Sequence, residues 1–300
     1  MTRLVISLTT IPPRFPFLLE NLECLLRQTA VAESINLYIP RTYRRFSYST
    51  NDIPSLPDGV ALHIIDEDLG PATKILPACK QYKEQDVFIL FGDDDKVYDK
   101  NWAKRFLDAA KQHPGHAICE EGAFINSAYP ESSERWESRL NPKAIFREKN
   151  FRYRLLRNLT LGRWRPSKCI ESGYVDILEG WGGAMIRPDF LDEAAFDIPD
   201  ILWTVDDIWI SGCLERRNVP IWLNGVGKIH AKGSSNEVKK SSLRKFIYSG
   251  HDRGSANRLC IDYFRNNYRI WMGTTLQHNI NNEKQAQELN EASARTDRCL

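Results

Sequence analysis

Three consecutive carboxylates, Asp93, Asp94 and Asp95, follow directly on the apolar run Val87-Phe88-Ile89-Leu90-Phe91. That run is short, aromatic and β-branched, which predicts a buried strand. Unpaired carboxylates are costly to bury. The triplet must therefore emerge at the carboxyl end of the strand, where open α/β sheets place their ligands. Acids this close repel one another unless a hydrogen-bond network or a cation compensates them. A hard divalent ion, Mg²⁺ or Mn²⁺, would do so. The plainer alternative is an acidic turn that caps a helix over 101–113.

Other polar clusters fall where strands should end. Thr9-Thr10-Ile11-Pro12-Pro13-Arg14 brings two hydroxyls and an arginine to a strand-to-helix turn. Asp66-Glu67-Asp68-Leu69-Gly70-Pro71-Ala72-Thr73-Lys74 contains a Gly-Pro turn that opens a helix, with Lys74 in its first turn. Free N–H groups there suit an anion. Taken singly, each cluster reads as a turn with a cap; gathered at one sheet edge, they line a crevice. Further along, Glu179-Gly180-Trp181-Gly182-Gly183 sets an indole among glycines. An exposed indole face suits a sugar ring, whereas a buried one would only fill a tight turn. Val205-Asp206-Asp207-Ile208-Trp209 opens a helix with two acids. An N-cap accounts for one of them, and the other suits a general base.

These residues need a scaffold, and the pattern supplies one. Strands are predicted at 4–8, 34–39, 60–65 and 87–91, with helices at 14–28 and 71–82 between them. A strand at 183–186, a helix over 205–217 and a strand at 219–223 follow. Strand–helix alternation implies an α/β fold with a mostly parallel central sheet flanked by helices. From about residue 234 the chain turns polar and helical, which predicts a C-terminal extension packed on the first unit.

Composition narrows the class without naming a partner. The 300 residues are 42% hydrophobic and 27% charged with net charge +2, so global charge points to no polyanion. No apolar run is long enough to span a bilayer, and no signal peptide is visible. Seven scattered cysteines (24, 79, 119, 169, 213, 260, 299) show no metal-ligand spacing and read as free thiols of the cytoplasm.

The order strand-TTIPPR, GPATK, post-strand DDD, GWGG and DDIW resembles nucleotide-sugar glycosyltransferases of the GT-A (Rossmann-like) fold. It is most similar to bacterial, family 2-like enzymes that build surface polysaccharides, over residues 3 to 230. The resemblance implies a catalytic domain over 1–233 and a helical extension over 234–300. It implies a metal-dependent, inverting transfer from a nucleotide-diphosphate sugar to a glycan or lipid-linked acceptor, with Mn²⁺ or Mg²⁺ as cofactor. Asp93 and Asp95 would hold the ion as the outer acids of a DXD motif, and Asp94 would approach the donor. Thr9, Thr10, Arg14, Asp66 and Lys74 would line the nucleotide pocket. Trp181, Gly182 and Gly183 would meet the acceptor. Asp207 would be the base, with Asp206 second, although the family's commoner pair is Glu-Asp. His230 would supply a third metal ligand, with His251 as substitute. The whole requires the triplet to open onto a crevice rather than be tied up by lysines or arginines.

Residues 143–168 hold nine Lys/Arg against one acid, Glu148, interleaved with Phe146, Phe151, Tyr153, Leu155, Leu156, Leu159 and Trp164. A solvated excursion, a membrane-surface contact at the inner face of the membrane and a nucleic-acid surface are the three readings. The last is disfavoured, because no binding module accompanies the charge. Two rival functions remain. Asp93-Asp94-Asp95-Lys96-Val97 also fits the DxDx[TV] loop of haloacid dehalogenase-like Mg²⁺-dependent phosphatases, although three strands precede it and the glycine–tryptophan turn would have no role. A GT-A protein that binds sugar without catalysis would keep the site but tolerate loss of Asp207.

Overall fold

A computed structural model describes residues 3–148, 150–161, 167–225, 231–232, 243 and 246–273. Its centre is an eight-stranded sheet. Strands β1 (Arg3–Thr9), β2 (Ser34–Pro40), β3 (Val60–Ile65) and β4 (Val87–Phe91) run parallel, with β1 between β2 and β4. The chain builds outward from β1 in one direction through β2 and β3, then returns to add β4 on the other side. This reversal opens a crevice at the carboxyl ends of β1 and β4, where Thr10 and the aspartate triplet stand. The α/β architecture expected of the sequence, a mostly parallel sheet flanked by helices, is the one the chain has.

Both faces of the sheet are covered around β1 and β4, which explains why the interiors of those strands are mostly apolar. Leu4, Ile6 and Leu8 pack with residues of α1 (Leu18–Leu26) on one face, while Val5, Ile89 and Phe91 pack with residues of α2 (Leu76–Gln81) on the other. The helix expected from residue 14 begins at Leu18, because Pro12, Pro13 and Pro16 lack N–H donors and bend Pro12–Phe17 into 3-10 turns. Similarly Gly70–Lys74 is 3-10, and α2 starts after it.

The triplet leads into β5 (Lys96–Val97) and then α3 (Trp102–Gln112). The far half of the sheet holds β6 (Ala117–Cys119), with β7 (Gly122–Ala123) and α4 (Ile125–Ala128) beyond it. The basic segment is not featureless. Strands β8 (Ile145–Phe146) and β9 (Cys169–Glu171) pair as a two-stranded stem, and α5 (Phe151–Leu159) lies between them in sequence. Next come β10 (Gly173–Val175), β11 (Ile177–Leu178) and β12 (Ala184–Ile186).

Strand β12 carries most of the site's logic. It runs antiparallel between β4 and β6, with Ala184 opposite Phe91 on one side and Cys119 on the other. Its start therefore lies at the carboxyl end of β4, and the tryptophan turn before it sits beside the triplet. Helix α6 (Asp207–Arg216), β13 (Ile221–Leu223) and β14 (Ala231–Lys232) follow, the last pairing with β5.

Helix α7 (Arg253–Tyr268) packs on α6, and Phe264 fills the space beside Gly212, where an added Cβ would lie 2.3 Å from its ring. Ala256, Cys260, Ile261, Phe264 and Trp271 belong to the same core as Val5 and Phe91. The boundary expected at residue 233 therefore does not separate two cores. Residues 274–300 lie outside the described residues. Six cysteines are free and buried, and Cys299 lies outside the described residues. Among the described residues, no helix is long and apolar enough to cross a membrane.

Candidate functional site

The triplet is compensated by the protein's own cations, each acid in its own way. Lys74 Nζ lies 2.8 Å from Asp93 Oδ1. Asp94 accepts from Thr10 Oγ1 at 2.6 Å and pairs with Arg14. Asp95 pairs with the buried Lys96, and Arg14 Nη2 lies 3.8 Å from its second oxygen. Burial alone would raise the Asp93 carboxyl, but Lys74 and Lys96 pull it down to about 2. For Asp94 burial wins over Arg14 and Thr10, and the carboxyl is raised.

Neighbouring side chains hold the loop in place. Asn21 of α1 donates to the carbonyls of Asp93 at 3.2 Å and Lys96 at 2.7 Å. The Tyr98 hydroxyl accepts the Asp93 N–H at 2.9 Å. Its ring stacks on Trp102 with centroids 4.0 Å apart, and Trp102 Nε1 donates to Gly182 O at 3.0 Å. One aromatic pair thus ties the triplet to the tryptophan turn.

Lys74 joins the two acidic groups. Its turn is anchored by Ser7 of β1, which donates to Lys74 O at 2.6 Å. The ammonium is buried and reaches Asp206 Oδ2 at 2.8 Å as well as Asp93. Burial disfavours its charge, yet Asp206, Asp93 and Asp207 outweigh burial and hold its pKa well above the ordinary lysine value. Asp206 occupies the N-cap position of α6, but its carboxylate makes no capping bond; it is spent on Lys74. The capping role expected of one aspartate is therefore absent.

Asp207 accepts the Gly180 N–H on Oδ1 at 2.9 Å. Burial and the neighbouring Asp206 push its carboxyl up to about 7, against Lys74 and Arg253. Gly180 is required for this approach: an added Cβ would stand 2.7 Å from Lys74 Nζ and 3.2 Å from Asp207 Oδ1. Gly183 has φ +98 and lies against Trp102, so a side chain there would be strained and crowded. Trp181 itself is half-buried. Its Nε1 donates to Glu179 at 3.1 Å, and Lys96 Nζ lies 6.0 Å from its ring centroid.

Thr10, Arg14, Lys74, Asp93, Asp94, Asp95, Trp181, Gly182, Gly183, Asp206 and Asp207 thus meet at one edge of the sheet. Two predicted residues stand apart. Thr9 donates to Tyr38 O at 2.8 Å and so ties β1 to β2. Asp66 is 90% exposed and pairs with Arg41, whereas the buried acid of that loop is Asp68, which accepts from Gly70 N and Arg44 N. His230 lies outside the described residues. His251 pairs through its backbone with Tyr248 in a turn before α7.

Sequence reasoning missed Arg253, whose Nη2 lies 3.6 Å from Asp207 Oδ2 and 3.9 Å from Asp206 Oδ1. It sits in a polar stretch with no strand end to mark it. Buried Glu121, pushed up to about 7 by burial, was also missed; its side chain lies against Gly182.

A divalent ion has a limited place here. Among the described residues, no three His, Cys, Asp or Glu side chains gather as a metal site. The triplet's mutual repulsion is relieved by Lys74, Arg14 and Lys96 instead. Contrary to the requirement read from the sequence, the triplet is tied to lysines and an arginine, although Asp94 and Asp95 still line a small cavity. Asp93 Oδ2 and Asp95 Oδ2, the latter 3.8 Å from Arg14 Nη2, are two hard oxygen donors, and Mg²⁺ is commonly held by one or two carboxylates together with substrate phosphates. The donor set fits an ion that arrives with a diphosphate. The cavity that Asp94 and Asp95 line with Arg14, Phe17, Asn21 and Lys96 measures about 10 Å³, room for roughly one water. Arg14 Nε, on the residue that lines this cavity, and Thr73 Oγ1, next to Lys74 in the chain, are buried without a hydrogen-bond partner among the described residues.

Together these features define an α/β protein with its charged site at the carboxyl edge of a mostly parallel sheet. No family model and no curated protein matches the chain. Among solved structures it is similar to S. aureus TarS 1–349 in complex with UDP-GlcNAc, at 16% identity and TM-score 0.48, covering 89% of this chain and 67% of that one. It is also similar to a structure of S. aureus TarS at 14% identity and TM-score 0.44, covering 92% of this chain and 44% of that one. The roles of individual residues rest on their own geometry.

Proposed function

We propose that the chain is a glycosyltransferase that moves a sugar from a nucleotide-diphosphate donor to a hydroxyl of a glycan or lipid-linked acceptor. The setting would be bacterial surface-polysaccharide synthesis on the cytoplasmic side of the membrane. One observation carries this reading: Lys74 draws the post-strand acids and the helix-opening acids to a single point beside the tryptophan turn. A nucleotide-sugar transferase needs such a meeting of cations for a diphosphate and a carboxylate for a proton.

The chemistry follows from the residues. Thr10, Arg14, Lys74 and Arg253 would bind the diphosphate, and their existing carboxylate bonds would loosen to admit it. Trp181 would stack on a sugar ring. Asp207 is tuned near neutrality, where a general base works best. Gly180 N–H occupies Oδ1, so Oδ2 would take the acceptor proton. As that proton leaves, the acceptor oxygen bonds to the anomeric carbon and the carbon–oxygen bond to the diphosphate breaks. Attack opposite the leaving group inverts the configuration. A divalent ion on Asp93 and Asp95 would supply Lewis-acid stabilisation of the departing phosphate.

A thermal-shift panel of nucleoside diphosphates and their sugars, with Mn²⁺, Mg²⁺ or chelator, tests the donor. Ligand binding raises the melting temperature by mass action. A nucleotide-sugar hit whose turnover releases nucleoside diphosphate supports transfer. Binding without turnover supports a sugar-binding protein, and a panel without any shift removes the proposal.

A further inference from the structure

Helix α5 has no buried residue. Phe151, Leu155 and Leu159 recur at four-residue spacing and so share one face, yet Phe151 is 78% and Leu159 71% exposed. Leu161, just beyond, is 88% exposed. Arg157 lies opposite this apolar stripe, and Arg152 and Arg154 flank it. The helix contains no acid. Its start is built rather than frayed, since Asn150 caps it by accepting the Tyr153 N–H at 3.1 Å.

The helix is carried on the β8–β9 stem, and that stem is rooted in the protein. Phe146 packs edge-on against Phe124 with centroids 5.4 Å apart. Lys168 Nζ donates to Gly122 O and pairs with Glu179, both at 3.1 Å. The stem is therefore anchored beside the turn that holds Trp181.

We propose that α5 is a docking helix for an anionic lipid bilayer. An apolar stripe flanked by arginines, with no acid, is the pattern of a helix that lies in a membrane interface. The stripe would enter the acyl boundary while Arg152, Arg154 and Arg157 meet lipid phosphates. Charge decides against a second copy as the occupant, because pairing two such stripes would bring arginines against arginines. The leucines decide against nucleic acid, which takes phosphate contacts and stacked aromatic rings but offers no apolar bed for an aliphatic stripe. Bilayer docking would bring a lipid-linked acceptor up beside Trp181. Only that last consequence rests on the transferase reading.

Vesicle flotation of the full chain, without donor or acceptor, tests docking separately from catalysis. The protein should float with phosphatidylcholine–phosphatidylglycerol vesicles and stay behind with phosphatidylcholine alone. Each arginine neutralised should weaken partitioning about fivefold, so Arg154→Gln with Arg157→Gln should lose about twenty-five-fold. Leu155→Ser with Leu159→Ser should release the protein even at low salt. Because α5 buries nothing, both double variants should keep the parent's circular dichroism and melting temperature. Equal flotation with both vesicle types, or flotation unchanged in either variant, overturns the proposal. So does a dimer in sedimentation velocity that the serine variant abolishes, or retention on single-stranded nucleic acid that the glutamine variant abolishes, in the absence of flotation.

Discussion

Lys74 and Asp206 form a buried ion pair, nitrogen to oxygen 2.8 Å, and the same ammonium holds Asp93 at 2.8 Å. A lysine with two carboxylates is not a replaceable decoration in such a place. It is the counter-ion that lets both acids exist as anions behind the surface of the protein.

Replacing Lys74 by methionine should therefore destabilise the fold by about 3–5 kcal/mol, since buried charge is left uncompensated. Adding Asp206→Asn to Lys74→Met should recover a large part of that loss. Urea denaturation of the two single variants and the double variant measures the coupling, and strictly additive losses would show that the pair is not coupled.

Asp207→Asn should lower transfer about 10²–10⁴-fold, the usual range for a lost general base. The wild-type rate should rise with pH through about 7, because the base works ionised and its carboxyl is held there. A rate that is flat from pH 5 to pH 9, or full activity in Asp207→Asn, contradicts the assignment.

The same carboxyl has an opposite effect on stability. Its folded pKa, about 7, lies above the ordinary aspartate value. The stability it contributes is fully present below pH ~4 and is lost as pH rises through about 7. Asp207→Asn should accordingly melt higher than the parent at pH 8, with the gain shrinking towards pH 4. Thermal melts across that range give the answer.

Arg253 lowers the Asp207 carboxyl, so Arg253→Ala should let it rise further. The acid limb of the pH–rate profile should move to higher pH, and donor affinity should fall as a phosphate-binding cation is lost. An unmoved limb would place Arg253 outside the proton-transfer step.

Gly180→Ala should cut turnover tenfold or more, on the order of the loss expected from a misplaced catalytic group. It should lower the melting temperature as well, because the methyl crowds the buried Lys74 that holds Asp93 and Asp206. The methyl group would intrude between Lys74 and Asp207. Loss of stability without loss of turnover would contradict this.

Much of this arrangement was legible from residue order. The strand 60–65 is observed as Val60–Ile65, and 101–113 as Trp102–Gln112. The triplet was placed at a strand end by the cost of burying acids, an argument that needs no structure. What the pattern could not reveal was tertiary. Nothing local marks Ala184–Ile186 as antiparallel, although that reversal brings Trp181 to the triplet. Arg14, Lys74 and Lys96 are ordinary surface residue types until the fold buries them beside acids, so the compensation of the triplet was assigned to an ion. Helix α5 escaped because its apolar stripe is short and flanked by Arg152 and Arg154, and no interior demanded it.

The placement of α7 bears on how this polypeptide can be handled. Phe264 lies 5.2 Å from the ring of Trp209, centroid to centroid, and Arg265 clasps the Trp271 carbonyl at 3.0 Å. A recombinant fragment trimmed to the strand-rich portion would leave Trp209 and the groove at Gly212 bare to water, and it would clump or be digested. Any shortened version made for crystallisation or assay has to run through Met272.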